Sequence, residues 1–169
     1  MPCDKLIDYL ADNGIDHDLT VHPQAYAARE TAVKAGVPGR EFAKTVLVRL
    51  DGLISMAVLP ADHKVNFNLL REAADADTIS LALEDEFAAR FPDCELGAMP
   101  PFGNLYGMPV YVDSHLTRAE TITFNAGTHT ETITMLYADF ERLVAPQLAQ
   151  FTFRPLLEQG QRSCGAERF

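Results

Sequence analysis

Three places in the chain put residues of catalytic or binding type where the local pattern does not otherwise call for them. Lys44 stands near the start of Ala43-Lys44-Thr45-Val46-Leu47-Val48-Arg49-Leu50, which reads as a strand. Period-2 alternation sets the lysine on the face of Val46, Val48 and Leu50, the face expected to meet the core. A lysine at a strand's start can lay its stem over apolar surface and keep its ammonium in water. The other reading is a compact cation at a pocket rim, suited to a phosphate or carboxylate. The second place runs Glu95-Leu96-Gly97-Ala98-Met99-Pro100-Pro101-Phe102-Gly103-Asn104-Leu105-Tyr106-Gly107. Its glycines let backbone approach a ligand and its prolines fix the peptides between them. N–H groups held this way could face a reacting carbonyl; the same composition also serves as a plain connector between helix and strand. The third is Phe124-Asn125-Ala126-Gly127-Thr128-His129-Thr130-Glu131. His129 could donate to a ligand that Asn125, Thr128 and Thr130 orient, or the segment is a hairpin loop built on Asn and Gly.

Other chemistry finds less support. His17, His22, His63, His115 and His129 show no H-x-x-x-H and no Cys/His metal spacing, so neither a metal nor a cofactor is expected. Cys94 borders the Gly/Pro stretch and could be a thiol nucleophile, but no histidine is local to it, and a structural cysteine is the commoner case. Phosphate-binding glycine loops, a G-x-G-x-x-G fingerprint and a G-x-S-x-G elbow are all missing from the sequence.

The elements that must position these residues are short. Leu6, Ile7 and Leu10 have helical spacing over residues 4–12, with Asp4 as candidate N-cap and Gly14 as terminator. Residues 18–22 look extended, and a second helix over 27–35 ends at Gly36. Asp51-Gly52 joins the lysine-bearing strand to the apolar run 53–59 and predicts a hairpin. Asn66 is a candidate cap for a helix carrying Leu69, Leu70 and Ala73. Leu83, Phe87 and Phe91 predict another helix, stopped by Pro92. Strands are expected at 109–112, 121–124 and 132–136, and a last helix over 138–144, closed by Pro146. Hairpins with interspersed helices predict an α+β fold: a single domain with a mixed, partly closed, barrel-like sheet surrounded by short helices. The domain is expected to span 1–146, with 147–169 an appended helix or loose tail.

Length and charge bound the rest. A chain of 169 residues, 47% hydrophobic and 22% charged, is an ordinary single globular domain that needs no disulfide or metal to hold a core. Twenty-four acidic against 14 basic residues give a net charge of −10, which excludes a general DNA or RNA binder. Cys3, Cys94 and Cys164 form an odd, widely spaced set, and no signal segment opens the chain; both point to a reducing cytoplasm. No apolar run approaches the roughly 20 residues of a membrane span.

Taken in order, Phe42-Ala43-Lys44-Thr45-Val46-Leu47-Val48, Lys64-Val65-Asn66, Gly97-Ala98-Met99-Pro100-Pro101-Phe102-Gly103 and Phe124-Asn125-Ala126-Gly127-Thr128-His129-Thr130-Glu131 resemble the YbaK and prolyl-tRNA synthetase associated editing domain family. The resemblance spans about residues 6–144 with order and spacing kept. It implies a single α/β domain that hydrolyses the ester of mischarged tRNA, removing alanine or cysteine from the tRNA for proline or a related tRNA, with neither metal nor covalent intermediate. Lys44 falls on the family's essential lysine, which is implied to hold the terminal adenosine's phosphate region. Gly97 and Pro101 fit the G-x-x-x-P loop, implied to supply backbone donors around the ester carbonyl. His129 falls on the histidine of F-N-A-G-[ST]-H, implied to line the aminoacyl pocket with Thr45, Val46, Met99, Pro100, Phe102, Gly127 and Thr128. Thr45 follows the lysine where some alanine-specific members carry a polar amide.

The implied partners are the 3′ end of mischarged tRNA and an aminoacyl-tRNA synthetase, with no membrane and no DNA, the protein itself being a monomer or weak homodimer. An aminoacyl ester is already activated, so a positioned water suffices as nucleophile. In that scheme Lys44 is a protonated anchor, and Lys64 and Arg40 complete a small cationic patch on an acidic body. The competing reading is a non-catalytic aminoacyl- or nucleotide-binding module that docks on a synthetase.

Overall fold

A computed structural model describes residues 3–155. Helix α1 (Asp4–Asp12) buries Leu6 and Leu10, one turn apart on one face. Cys3 takes the N-cap position expected of Asp4, which lies in the first turn, and Gly14 leaves the helix at φ +65°. Strand β1 (His17–Val21) leads to α2 (Ala28–Lys34), whose buried residues are Thr31 and Ala32.

Strands β2 (Ala43–Leu50) and β3 (Leu53–Pro60) pair antiparallel, with Lys44 opposite Leu59 and Leu50 opposite Leu53. Asp51 and Gly52 both hold positive φ (50° and 85°), as a tight twisted hairpin requires. The Asp51 carboxylate also accepts the backbone N–H groups of Asp77 and Thr78 and so ties the turn to the next segment. After β4 (Lys64–Val65), the Asn66 side chain accepts the N–H of Leu69 and caps α3 (Phe67–Ala73).

Strand β5 (Ile79–Leu81) precedes α4 (Glu84–Phe87), a single turn that tightens to 3₁₀ over Ala88–Arg90. The expected helix through Phe91 is therefore broken, although Phe87 and Phe91 are both buried. Next come β6 (Val110–Asp113), β7 (Thr121–Thr128), β8 (Glu131–Leu136) and α5 (Tyr137–Val144).

Two strands follow where the sequence suggests a helix or tail. β9 (Gln147–Ala149) runs parallel to β6, and β10 (Thr152–Phe153) pairs with β4. The reason is local: Phe151 is fully buried, and its N–H donates to the fully buried Asp113 carboxylate at 3.0 Å. Residues 156–169 of the proposed tail lie outside the described residues.

The architecture is α+β, as expected. The strands divide into a mixed five-stranded sheet (β5-β2-β3-β6-β9), an antiparallel three-stranded sheet (β1-β8-β7) and the β4–β10 pair. A bridge from Phe42 to Thr123 links the two larger sheets. Both faces of β2 are covered. Ala43 and Leu47 join the main core, which includes Phe102, Phe124 and Phe140; Val46, Val48 and Leu50 pack in a second core with Leu59, Leu70 and Phe151.

Candidate active site

Lys44 is on the face that alternation assigns to it, and it does not reach out to water: the residue is only 7% exposed. No carboxylate lies within ion-pair distance of its ammonium among the described residues. Burial lowers its pKa from 10.5 to about 8, and the charges of Lys64 and Arg29 push the same way against the weaker pull of Asp62. The fold thus holds a desolvated cation beside two others in an acidic protein. Arg29, from α2, is a member that sequence reasoning missed. Arg40, expected in this patch, lies 3.7 Å from Glu41 and lines a cleft with Asp62, whose charge also acts on Lys44.

The Gly/Pro stretch and the His129 segment meet. The polar segment is mostly strand: β7 runs through Thr128 with a register shift between Asn125 and Thr128, and β8 begins at Glu131, leaving only His129 and Thr130 at the turn. Gly97 adopts φ +87°, and a Cβ there would stand 3.4 Å from His129 Cε1, so the imidazole lies directly against this glycine. His129 Nε2 is 2.8 Å from the Leu96 carbonyl, and the His129 N–H donates to the Glu95 carboxylate at 3.0 Å. Tyr26 packs against the ring in a tilted arrangement, centroids 4.7 Å apart. The Glu95 and Gly127 N–H groups donate to the carbonyls of Gly127 and Ala98 and lace the two segments together. Glu95 and Tyr26, like Arg29, had no signal in local spacing, because each acts through a partner distant in the chain.

Four buried side-chain atoms without a hydrogen-bond partner gather here: His129 Nδ1, His22 Nε2, Asn125 Oδ1 and Thr132 Oγ1. Asn125 and Thr132 face each other in register, and the His22 N–H donates to the Thr130 carbonyl. Unpaired buried polar atoms are costly and rare, and four of them belong to residues at or beside the β7–β8 turn.

Not every expected residue joins this cluster. Phe102 is fully buried among Tyr9, Phe124 and Phe140 and serves the core. Val46 belongs to the second core, while Met56 and Met99 belong to the main one, so these do not line one pocket together. Thr45 points to the face opposite Lys44 and is half-buried. Pro100 and Pro101 are buried and lack N–H groups. Of the loop's possible donors, the Ala98 N–H is used by Glu95, and the Gly97 N–H faces only the Met99 sulfur at 3.2 Å, a weak acceptor. Thr128 donates to Glu131. No hydrogen bond or ion pair joins Lys44 to the His129 cluster.

Residues distant in sequence also converge elsewhere. A cleft of about 460 Å³ is lined by Arg40, Asp62, His63, His115, Arg118 and Arg154, among others. His63, Asp113 and His115 bring ligand-type atoms within 4.8 Å of one another, a grouping that chain spacing did not reveal. Hydrogen bonds already engage them: Asp113 accepts from His115 and Phe151, and His63 Nδ1 meets the Thr152 hydroxyl at 2.9 Å. The Cys94 thiol, considered as a nucleophile, sits between Cys3 and Tyr106, and its interaction with Cys3 together with burial pushes its pKa up. A thiol held protonated in this way does not suit attack.

Residues 22–143 match the aminoacyl-tRNA editing domain. The multifunctional Ser/Thr-tRNA deacylase ProXp-y of Escherichia coli strain K12 is 26% identical over 152 residues, spanning 87% of this chain and 90% of the relative. Among solved structures, one described as a candidate trans-editing enzyme for prolyl-tRNA synthetase superposes with a TM-score of 0.78 at 15% identity, over 89% of this chain and 96% of that one. The hypothetical protein APE2540 superposes with a TM-score of 0.78 at 20% identity, over 88% of this chain and 99% of the other. These structural likenesses establish the fold.

Proposed function

Because the chain belongs to the aminoacyl-tRNA editing domain family, we propose that it is an aminoacyl-tRNA hydrolase acting in trans, which releases a wrongly attached amino acid from the 3′ end of tRNA. The observation that carries the reading is Lys44, a buried cation with Arg29 and Lys64 close enough to depress its pKa. Such a group gains its compensation when an anion arrives, and the terminal phosphates of tRNA provide one. Lys44 anchors the terminal adenosine, and the Gly97–Pro101 loop and His129 border the aminoacyl group. A donor to the ester oxygen comes from the Gly97 or Met99 N–H, the positions of this loop not committed to a strong acceptor. A positioned water attacks the ester carbonyl, the carbonyl oxygen gains negative charge beside that donor, and the ribose oxygen leaves.

The aminoacyl group is small. Alanine and cysteine follow from the resemblance of the motifs, and serine and threonine are named for the E. coli relative. The unpaired Asn125 Oδ1 and Thr132 Oγ1 favour a side chain that brings a hydroxyl. Release of free amino acid from a panel of Ala-, Cys-, Ser- and Thr-charged tRNAs tests the proposal. Hydrolysis of at least one, lost in Lys44→Ala with the fold intact by circular dichroism, is expected. Binding to these tRNAs without release would establish the non-catalytic module instead.

A further inference from the structure

We propose that Cys3 and Cys94 form a reversible disulfide behind the His129 cluster, made by reaction with a hydroperoxide, and that this oxidation slows the editing reaction. Both thiols are free, and Cys3, Asp93 and Cys94 place their sulfur and carboxylate atoms within 4.8 Å of one another. A disulfide needs about 2.05 Å between sulfurs. Cys94 lies outside any helix or strand, so a rotamer change with a small loop shift can close the gap without breaking an element.

The two sulfurs share one polar cluster. The Cys3 thiol donates to Asp93 Oδ2 at 2.8 Å, a bond that favours its protonated form, whereas the Tyr106 hydroxyl, 3.2 Å from the Cys3 sulfur and 3.6 Å from that of Cys94, favours the Cys3 thiolate. Cys3 is held down at about 7, chiefly through its hydrogen bond with Cys94, so the pair shares one thiolate near neutral pH. Cys3 is buried, whereas Cys94 is partly exposed and gives an oxidant its approach.

The steps balance. The thiolate sulfur attacks one oxygen of the hydroperoxide; an S–O bond forms, the O–O bond breaks, and the alkoxide or hydroxide leaves and takes up a proton. The second sulfur then attacks the sulfenic sulfur. An S–S bond forms, the S–O bond breaks, and the departing hydroxide joins the second thiol's proton as water. Two thiols and one hydroperoxide thus give one disulfide, one alcohol or water, and one further water.

The link to the site is short. The Cys3 N–H donates to the Ala126 carbonyl at 2.7 Å, and Gly127 packs so closely that a Cβ there would lie 2.8 Å from Cys3 Cβ. On the other side, Cys94 precedes Glu95, whose carboxylate holds the His129 N–H. Drawing residue 94 toward residue 3 moves the group that positions His129. The effect on activity rests on the editing reading, but formation of the disulfide does not.

The full chain in a Cys164→Ser background is treated with equimolar hydrogen peroxide and peptide-mapped without reduction. A Cys3–Cys94 crosslink, reversed by dithiothreitol and missing in Cys94→Ser, is expected, with deacylation several-fold slower in the oxidised protein and insensitive to peroxide in Cys94→Ser. Sulfinic acid without a crosslink, disulfides only between molecules, or a crosslink that leaves activity unchanged overturns the proposal. A crosslink in a protein whose reduced form never deacylates would instead remove the editing reading and leave the disulfide standing.

Discussion

Lys44 carries opposite burdens for stability and for function. Its pKa falls from 10.5 to about 8 on folding, and at about 1.4 kcal/mol per pH unit this is a cost of about 3 kcal/mol at neutral pH. Between about pH 8 and 10.5 the unfolded chain binds the proton that the folded chain has lost, so this residue's contribution to stability rises with pH across that window. Lys44→Met is therefore expected to raise the urea midpoint at pH 7 while abolishing deacylation; a lowered midpoint would show that the ammonium has a stabilising partner. The anchor is charged below about 8, so KM for charged tRNA should rise as pH passes through that value, after correction for spontaneous ester hydrolysis. Substitutions at two glycines separate site from scaffold. Gly97→Ala forces φ +87° on a residue with a Cβ, at a cost of about 1–2 kcal/mol, and brings a methyl into contact with His129 at 3.4 Å. Gly127→Ala adds a collision with Cys3 at 2.8 Å and should lower the melting temperature further than Gly97→Ala. The reverse order would contradict the packing described.

At the scale of elements, the signals that proved readable were those set by neighbours in the chain. Asp51-Gly52 has the positive φ pair of its hairpin, Asn66 caps α3, and alternation put Lys44 on its core-facing side. Signals that depended on distant partners were not readable. Residues 147–153 lack an amphipathic period because each strand there is only two or three residues long and is held by pairing with β6 and β4. The polar segment around Asn125 looked like a loop because its hydrogen-bonding side chains sit in strand, buried by tertiary packing. The roles of Glu95, Tyr26 and Arg29 likewise depend on partners distant in the chain. Phe151→Ala should cost about 3–5 kcal/mol by chemical denaturation, the usual range for a buried phenylalanine. An effect below 1 kcal/mol would restore the tail reading for this stretch.

For the whole molecule, the net charge of −10 disfavours broad contact with RNA, and the account places the 3′ end on the cluster of Lys44, Arg29 and Lys64. With three cations engaging a single-stranded 3′ end, the logarithm of the binding constant should fall with the logarithm of salt concentration with a slope of about −2. Tight binding of uncharged tRNA at physiological salt would show a wider contact than this account allows. Among the described residues no helix is long and apolar enough to cross a membrane. The most direct test of the central claim is single-turnover release of amino acid from a mischarged tRNA by wild type and by Lys44→Ala under identical conditions. The account predicts rapid release by wild type and no release above the spontaneous rate by the folded variant; comparable release by both would contradict it.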